Sequence, residues 1–362
     1  MFDKKVLVTG GSGLLGRAVL AESRVSHILG FCRRTTLEPH MVPPGVQLTC
    51  IRGDLREEHL GLDDAAYARL AEEVEVILHL GAVTSFNVKS AQIEATNRAG
   101  TERMVELARR SGARMVYVST AYVDEGSSAL AEPSIYEQTK RDAEALVRTL
   151  PDWVIVRPSI IIGDSRTGRV AAYQGFHHIV GCMVDGTLPV LASTPGRLGD
   201  FVAQNWVADA VWGAALHEKN LGTLWVTAGA DALPIEQIRE IAVRVGREYG
   251  FNPPTPRLVP YDTVERLFLP VFMKNLPIRL QHQFRADLKL ARYMNQLVPL
   301  PSSEPLLRAE LGLPRREPEE LILERNLQRW AEDRASGALK GRTLAVAPRG
   351  ARTTDYSIGG EK

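Results

Sequence analysis

The chain is short of cysteine, of net charge and of long apolar runs. It has three cysteines in 362 residues, Cys32, Cys50 and Cys182, odd in number and widely spaced. They build no C-x-x-C, no zinc spacing and no disulfide framework, so a reducing, cytoplasmic setting is expected. Lysine plus arginine number 44 against 43 acidic residues, a net charge of +1. So even a balance gathers neither nucleic acid nor an anionic membrane. No stretch approaches the roughly 18 apolar residues of a spanning helix. The N-terminus enters a β run at once, which leaves no room for a signal peptide. His177 and His178 have no acidic or cysteine cluster beside them, so no metal site is expected.

Apolar residues make up 44% of the chain. That is enough for a sizeable core, and the length suggests about two domains. Apolar β runs fall at residues 5–8, 27–32, 47–51, 74–80, 114–119 and 153–157, and helical patterns at 65–73, 91–111 and 136–150. Strands alternating with helices predict an α/β fold with a doubly wound parallel sheet. After residue 162 the character changes. A strand end and helix are expected over 200–217, a strand over 224–227, an amphipathic helix over 234–250 and a charged helix over 306–334. The predicted division is a dinucleotide-binding domain over 1–165, completed by about 200–229. A smaller, mostly helical substrate domain takes 166–199 and 230–335, and a poorly ordered tail takes 336–362.

The segment Val6-Leu7-Val8-Thr9-Gly10-Gly11-Ser12-Gly13-Leu14-Leu15-Gly16 carries the first chemistry. A short β run meets Gly10, Gly13 and Gly16 at a spacing of three, leading into a helix. The first glycine allows a tight turn, the second the approach of a pyrophosphate, the third close helix packing. Free N–H groups at the helix start, with its dipole, hold the anion. Ser12, Leu14 and Leu15 belong to the same turn. The second run ends in Arg33-Arg34 with no acid between His27 and Thr36. An acid there would take the ribose 2′-OH; arginine accommodates a 2′-phosphate, so NADPH is the expected cofactor.

The third motif is Tyr136-x-x-x-Lys140. Residues at i and i+4 share a helix face. Ser134 and Glu137 form an S-x-x-E capping box, so the helix begins just before Tyr136. A nearby ammonium stabilises phenolate, which suits a proton donor to a carbonyl oxygen. The preceding strand ends in Ser119-Thr120, at the sheet edge where doubly wound folds bind ligands.

With these motifs the chain resembles the extended short-chain dehydrogenases/reductases over about residues 1–330, and within them the fatty acyl-CoA reductase and thioester reductase branch. The likeness is carried by the strings His79-Leu80-Gly81-Ala82-Val83-Thr84-Ser85-Phe86, Asn97-Arg98-Ala99-Gly100-Thr101, Val118-Ser119-Thr120-Ala121-Tyr122-Val123 and Val156-Arg157-Pro158-Ser159-Ile160-Ile161-Ile162-Gly163-Asp164. The resemblance implies Thr120, Tyr136 and Lys140 as the catalytic set. Asn97 would support the lysine through backbone and water. Asp54 would bond the adenine amine, with Leu55 beside it. Leu80, Gly81 and Ala82 would line the ribose side, and Pro158, Ser159 and Ile160 the nicotinamide.

The implied activity is NADPH-dependent reduction of an acyl thioester to an aldehyde, or on to the alcohol, with the acyl group on CoA or on a separate carrier protein. A homodimer is one expected state. The alternatives are an extended ketoreductase, epimerase or dehydratase acting on a steroid-like or nucleotide-sugar substrate, and a non-catalytic NADP-binding regulator. Three departures stand out. Gly81 replaces the alanine usual in the pair after the histidine. The gap from Thr120 to Tyr136 is short. The string Asp200-Phe201-Val202-Ala203-Gln204-Asn205 only partly matches the usual hinge. Phe268, Leu269, Val271, Phe272 and Met273 form an apolar cluster that is either core or the wall of an acyl tunnel.

Overall fold

A computed structural model of the chain describes residues 1–84, 88–123, 133–268 and 278–339. Six strands build the sheet in chain order: β1 (Phe2–Thr9), β2 (Val25–Cys32), β3 (Gln47–Arg52), β4 (Val76–His79), β5 (Arg114–Val118) and β6 (Trp153–Pro158). A seventh, Gly222–Val226, is contributed by the later segment. Their spatial order is Gly222–Val226, β6, β5, β4, β1, β2, β3, and every pairing is parallel. The strand order reverses beside β1. That is the switch point at which a doubly wound sheet opens a crevice for ligand.

Alternation along the strands sends side chains to two cores. Val6, Val8, Val76, Leu78, Val116 and Val154 meet α1 (Leu14–Ala21) and α7 (Gln204–Leu216) on one face. Leu7, Ile77, Met115, Tyr117 and Ile155 meet α2 (Asp64–Glu73), α4 (Ala99–Ser111) and α5 (Ile135–Val147) on the other. Burial on both faces is why these runs are almost continuously apolar. A third core joins α6 (Phe176–Val184), α8 (Ile235–Glu248), Ile278–Ala291 and Glu319–Ala335 into the helical C-terminal portion.

Two expectations are corrected, and one proximity is added. The helix expected over 91–111 is two helices, α3 (Ser90–Asn97) and α4, that part at Arg98. There the Thr101 hydroxyl donates to the Asn97 carbonyl at 2.6 Å, which would otherwise serve the helix ladder. The single charged helix expected over 306–334 is also two, Glu304–Leu311 and Glu319–Ala335. Gly312 adopts φ +64° and ends the first. Pro314 and Pro318, which lack N–H, keep the gap open. Finally, Cys32 and Cys50 are neighbours in space, since β2 and β3 pair with Gly30 opposite Cys50. Both are free thiols.

Leu269, Val271, Phe272 and Met273 of the expected acyl wall lie outside the described residues, as do Ser85 and Phe86 and most of the expected tail. Among the described residues no helix is long and apolar enough to cross a membrane.

Candidate active site

The cleft lies at the carboxyl edge of the sheet, with a volume of about 950 Å³. Gly10 closes the turn after β1 with φ +73°, a conformation L side chains rarely adopt. A Cβ there would come within 2.7 Å of the Gly81 nitrogen. A Cβ on Gly16 would fall 2.1 Å from the Gly10 carbonyl oxygen. Gly13 stands at the N-cap of α1 with no side-chain cap. The first N–H groups of α1 therefore keep no side-chain acceptor, and Ser12, Leu14 and Leu15 line the cleft with them. This is a cradle shaped for a pyrophosphate.

Arg33 and Arg34 line the far rim. Arg33 Nη1 is 4.0 Å from Asp54 Oδ2. The Asp54 carboxylate is taken chiefly by Arg56, whose Nη2 donates to it at 2.6 Å and whose backbone N–H donates at 3.0 Å. The Arg56 side chain, before all else, holds the Asp54 carboxyl below its ordinary value. Asp54 thus gathers two arginines at the rim, and Arg56 is a residue the sequence reading missed. The signal was the Asp-x-Arg spacing after β3. Leu55 packs near Gly81 and Gly100.

A methyl on Gly81 would meet Thr9 Oγ1 at 3.0 Å and Leu55 Cδ1 at 3.1 Å, which is why glycine stands there. The Gly81 N–H donates to Thr9 Oγ1 at 3.0 Å, and Thr9 Oγ1 lies 2.7 Å from His79 Nδ1. His79 Nε2 lies 3.1 Å from Thr101 Oγ1, whose proton goes to Asn97 O. Each donor is used once if His79 is neutral with its proton on Nε2. Burial drives its pKa down to about 3, in keeping with that form. Asn97 completes the chain. Its side-chain oxygen accepts from the Val83 N–H at 2.7 Å, and its amide donates to the Val83 carbonyl at 3.0 Å. Its side chain is thus spent on the loop carrying Leu80, Gly81 and Ala82, and Lys140 donates to the Val118 carbonyl.

Tyr136 and Lys140 rise from the first turns of α5. The capping box forms: Glu137 N–H donates to Ser134 Oγ at 3.2 Å and Ser134 N–H to Glu137 Oε2 at 2.9 Å. Lys140 Nζ donates to the Val118 carbonyl at 2.7 Å and sits 4.7 Å from the Tyr117 ring centroid. Burial lowers its pKa to about 7, against the pull of Glu144. Tyr136 is hydrogen-bonded to Thr120, yet burial pushes its pKa up to about 12. Burial is the largest influence on the phenol and holds its proton, with the Glu137 charge acting the same way. Thr120, rather than its neighbour Ser119, is the hydroxyl in contact with Tyr136.

Thr120, Tyr136 and Lys140 share the cleft wall with Pro158, Ser159 and Ile160. Of the expected catalytic and cofactor-binding residues, Asn97 alone does not line the cleft. One further wall residue had no sequence signal. Tyr293, from the C-terminal portion, donates to Glu137 Oε1 at 2.6 Å and packs its ring 4.5 Å from that of Tyr122. Gln174, Phe176, His178, Asp287 and Leu290 continue the wall beyond it. Asp200, in the atypical hinge string, is buried and accepts from the Ala228 and Gly229 N–H groups at 2.8 and 2.9 Å. It fixes the end of the Gly222–Val226 strand. His177 is buried, its pKa pushed down to about 4. Among the described residues no group of three or more His, Cys, Asp or Glu could hold a metal ion.

Residues 45–211 match the family described as male sterility protein, an NAD-binding domain. The chain is 33% identical over 160 residues to equisetin synthetase of Fusarium heterosporum, 41% of this chain and 4% of that protein. It is 27% identical over 271 residues to a hybrid PKS-NRPS synthetase of Penicillium citrinum, 67% of this chain and 7% of that protein. The chain therefore spans a small fraction of the length of these relatives. In fold it is similar to the terminal R domain of the myxalamid PKS-NRPS pathway, with a TM-score of 0.69 at 22% identity, over 93% of this chain and 92% of that one. It is also similar to an archaeal thiolation-reductase di-domain, TM-score 0.67 at 16% identity, covering 92% of this chain and 77% of that one. The enzyme WbmG of Bordetella bronchiseptica, solved with NAD, gives a TM-score of 0.62 at 16% identity over 92% of this chain and 96% of that one. Over residues 45–211 the chain is thus similar to the NAD-binding domain described as male sterility protein, and its fold is that of the terminal R domain and of the NAD-bound WbmG.

Proposed function

We propose that the chain reduces an acyl thioester, carried on CoA or on a carrier protein, to the aldehyde with NADPH. The observation that carries this reading is the Thr120–Tyr136 hydrogen bond beside Lys140, at the inner end of a cleft whose outer end is a pyrophosphate cradle. The cleft residues fit the cofactor. The cradle would be filled by any Cβ at Gly10 or Gly16, and Arg33 and Arg34 stand where a 2′-phosphate lies in this fold. Bound there, NADPH supplies hydride.

The protein groups do the rest. Thr120 and Tyr136 donate hydrogen bonds to the carbonyl oxygen as negative charge develops on it. Tyr136, with a pKa near 12, keeps its proton until that oxygen becomes basic enough to take it. Lys140, fixed by the Val118 carbonyl, presents an ammonium to the cofactor ribose. Addition of hydride to carbon and of the proton to oxygen gives a hemithioacetal. Its collapse breaks the C–S bond and leaves aldehyde and free thiol. The family and the R-domain neighbours support the thioester, and the cleft argues against a nucleotide sugar. Its described cationic side chains, Arg33, Arg34 and Lys140, belong to the cofactor half, with only His178 beyond them. A substrate diphosphate would want such a partner.

Tyr136→Phe tests the assignment. General acid catalysis contributes about 10²–10⁴ in rate, so turnover falls by at least about a hundredfold while NADPH still binds. Near-normal turnover in the variant would overturn it.

A further inference from the structure

Tyr136, Lys140 and Glu144 fall at i, i+4 and i+8 of α5, one face of the helix. Glu144 is 1% exposed. Its carboxylate accepts from Arg157 Nε at 2.8 Å and Arg157 Nη2 at 2.7 Å, a two-pronged contact from β6. It also accepts from Arg148 Nη2 at 2.9 Å, one turn further along. Arg157 lies over the Trp225 ring at 4.6 Å and Arg148 over Trp153 at 5.7 Å. Glu144 thus stands one turn from Lys140 on one side and one turn from Arg148 on the other. Without its charge, Arg157 and Arg148 would lose the carboxylate they share, one turn from Lys140.

The remaining surroundings of Lys140 offer its ammonium little. On β4, His79 is neutral, and on β5 the contacts are the Tyr117 ring and the Val118 carbonyl. On α5 itself Tyr136 is neutral, and Glu137 is turned to Ser134 and Tyr293. The packed faces of α3 and α4 bury Ile93, Asn97, Thr101 and Met104. Glu94, Glu102, Glu106, Arg109 and Arg110 of those helices are exposed. Arg98 is half-buried, and Arg103 donates to the Leu55 carbonyl. In the turn after β5, Arg141 donates to Val123. Glu144 is the carboxylate that acts on the lysine.

We propose that Glu144 is a positioning residue of the reduction, keeping the Lys140 side chain an ammonium in its buried seat while Arg157 and Arg148 hold Glu144 in place. This rests on the reading of Tyr136 and Lys140 as the catalytic pair. Burial already draws the lysine toward neutrality, to about 7, so small changes in the local field decide its charge at physiological pH. A purely structural Glu144 would set stability alone. A charge-setting Glu144 also sets the pH at which the ammonium is lost.

The test follows the Lys140 amine by NMR in protein labelled with carbon-13 at lysine Cε, the signal assigned by its loss in Lys140→Met. NADPH affinity is measured alongside by fluorescence across pH 5.5–9.5. Glu144→Gln should move both midpoints down by about one pH unit or more, the size expected for losing an adjacent opposite charge. Arg148→Met leaves the Glu144 charge less compensated and should move them up. Arg148 is 39% exposed, so this variant retains the fold even if Glu144→Gln does not. Unmoved midpoints in a folded Glu144→Gln, or an unmoved or lowered midpoint in Arg148→Met, overturn the proposal. Neither readout needs a thioester, so failure of the substrate assignment leaves this result separately legible.

Discussion

Replacing Lys140 by methionine should make the protein more stable at acidic pH while disabling it. The lysine is held at about 7 by burial, against an ordinary value of 10.5. At 1.36 kcal/mol per pH unit, keeping the amine protonated below pH 7 costs the folded state on the order of 4–5 kcal/mol. Methionine removes that cost and fills much of the same volume. It also leaves the Val118 carbonyl without its 2.7 Å donor, a loss of about 1–3 kcal/mol. The net gain is about 1–4 kcal/mol. Folded-state pKa lies below the unfolded value, so the unfolded chain binds more protons between pH 7 and 10.5. Wild-type stability therefore rises through that window, and the advantage of the variant fades across it. Thermal unfolding at pH 6 and pH 10 reads this directly. At about 2 °C per kcal/mol for a chain of this size, Tm rises by roughly 2–8 °C at pH 6 and by much less at pH 10. A variant less stable than wild type at pH 6, or equally shifted at both pH values, would refute the reasoning.

Arg33→Ala with Arg34→Ala removes charge-assisted contacts expected to contribute about 1.5–3 kcal/mol, so NADPH affinity should fall at least about tenfold while NADH is little changed. Equal losses for both cofactors in a titration would count against a 2′-phosphate site. Gly16→Ala puts a Cβ 2.1 Å from the Gly10 carbonyl oxygen, so the α1 turn must open. Binding of both cofactors should be lost, by calorimetry, with Tm falling as well; undiminished affinity would show that the cradle is not the pyrophosphate seat.

What could be read from the sequence was what is local. The turn from β1 into α1 was visible because three glycines at fixed spacing state a backbone demand that no other residue meets. The Ser134–Glu137 box and the Tyr136/Lys140 pair were visible for the same reason, since a helix start and an i, i+4 face are short-range. The strands were legible because burial on both faces leaves unbroken apolar runs. What was hidden depends on chain segments far apart. Tyr293 reaches Glu137 across 156 residues, and no pattern around it announces that contact. Cys32 and Cys50 touch only because β2 and β3 pair in one register. The Asn97 side chain reads as a helix residue near a lysine, yet it closes on Val83, because the loop after β4 brings that backbone to it. The partition of 91–111 and of 306–334 into two helices each turned on single residues, Arg98 and Gly312, whose neighbours decide where the ladder breaks.

The central claim is tested most directly by following NADPH consumption and product with purified protein against acyl-CoA and acyl-phosphopantetheinyl thioesters, with free ketones and nucleotide sugars as controls. The account predicts thioester-dependent oxidation of NADPH with release of one free thiol and one aldehyde per turnover, reduced at least about a hundredfold in Tyr136→Phe. Turnover of a ketone or a nucleotide sugar with no thioester reduced on either carrier would contradict it.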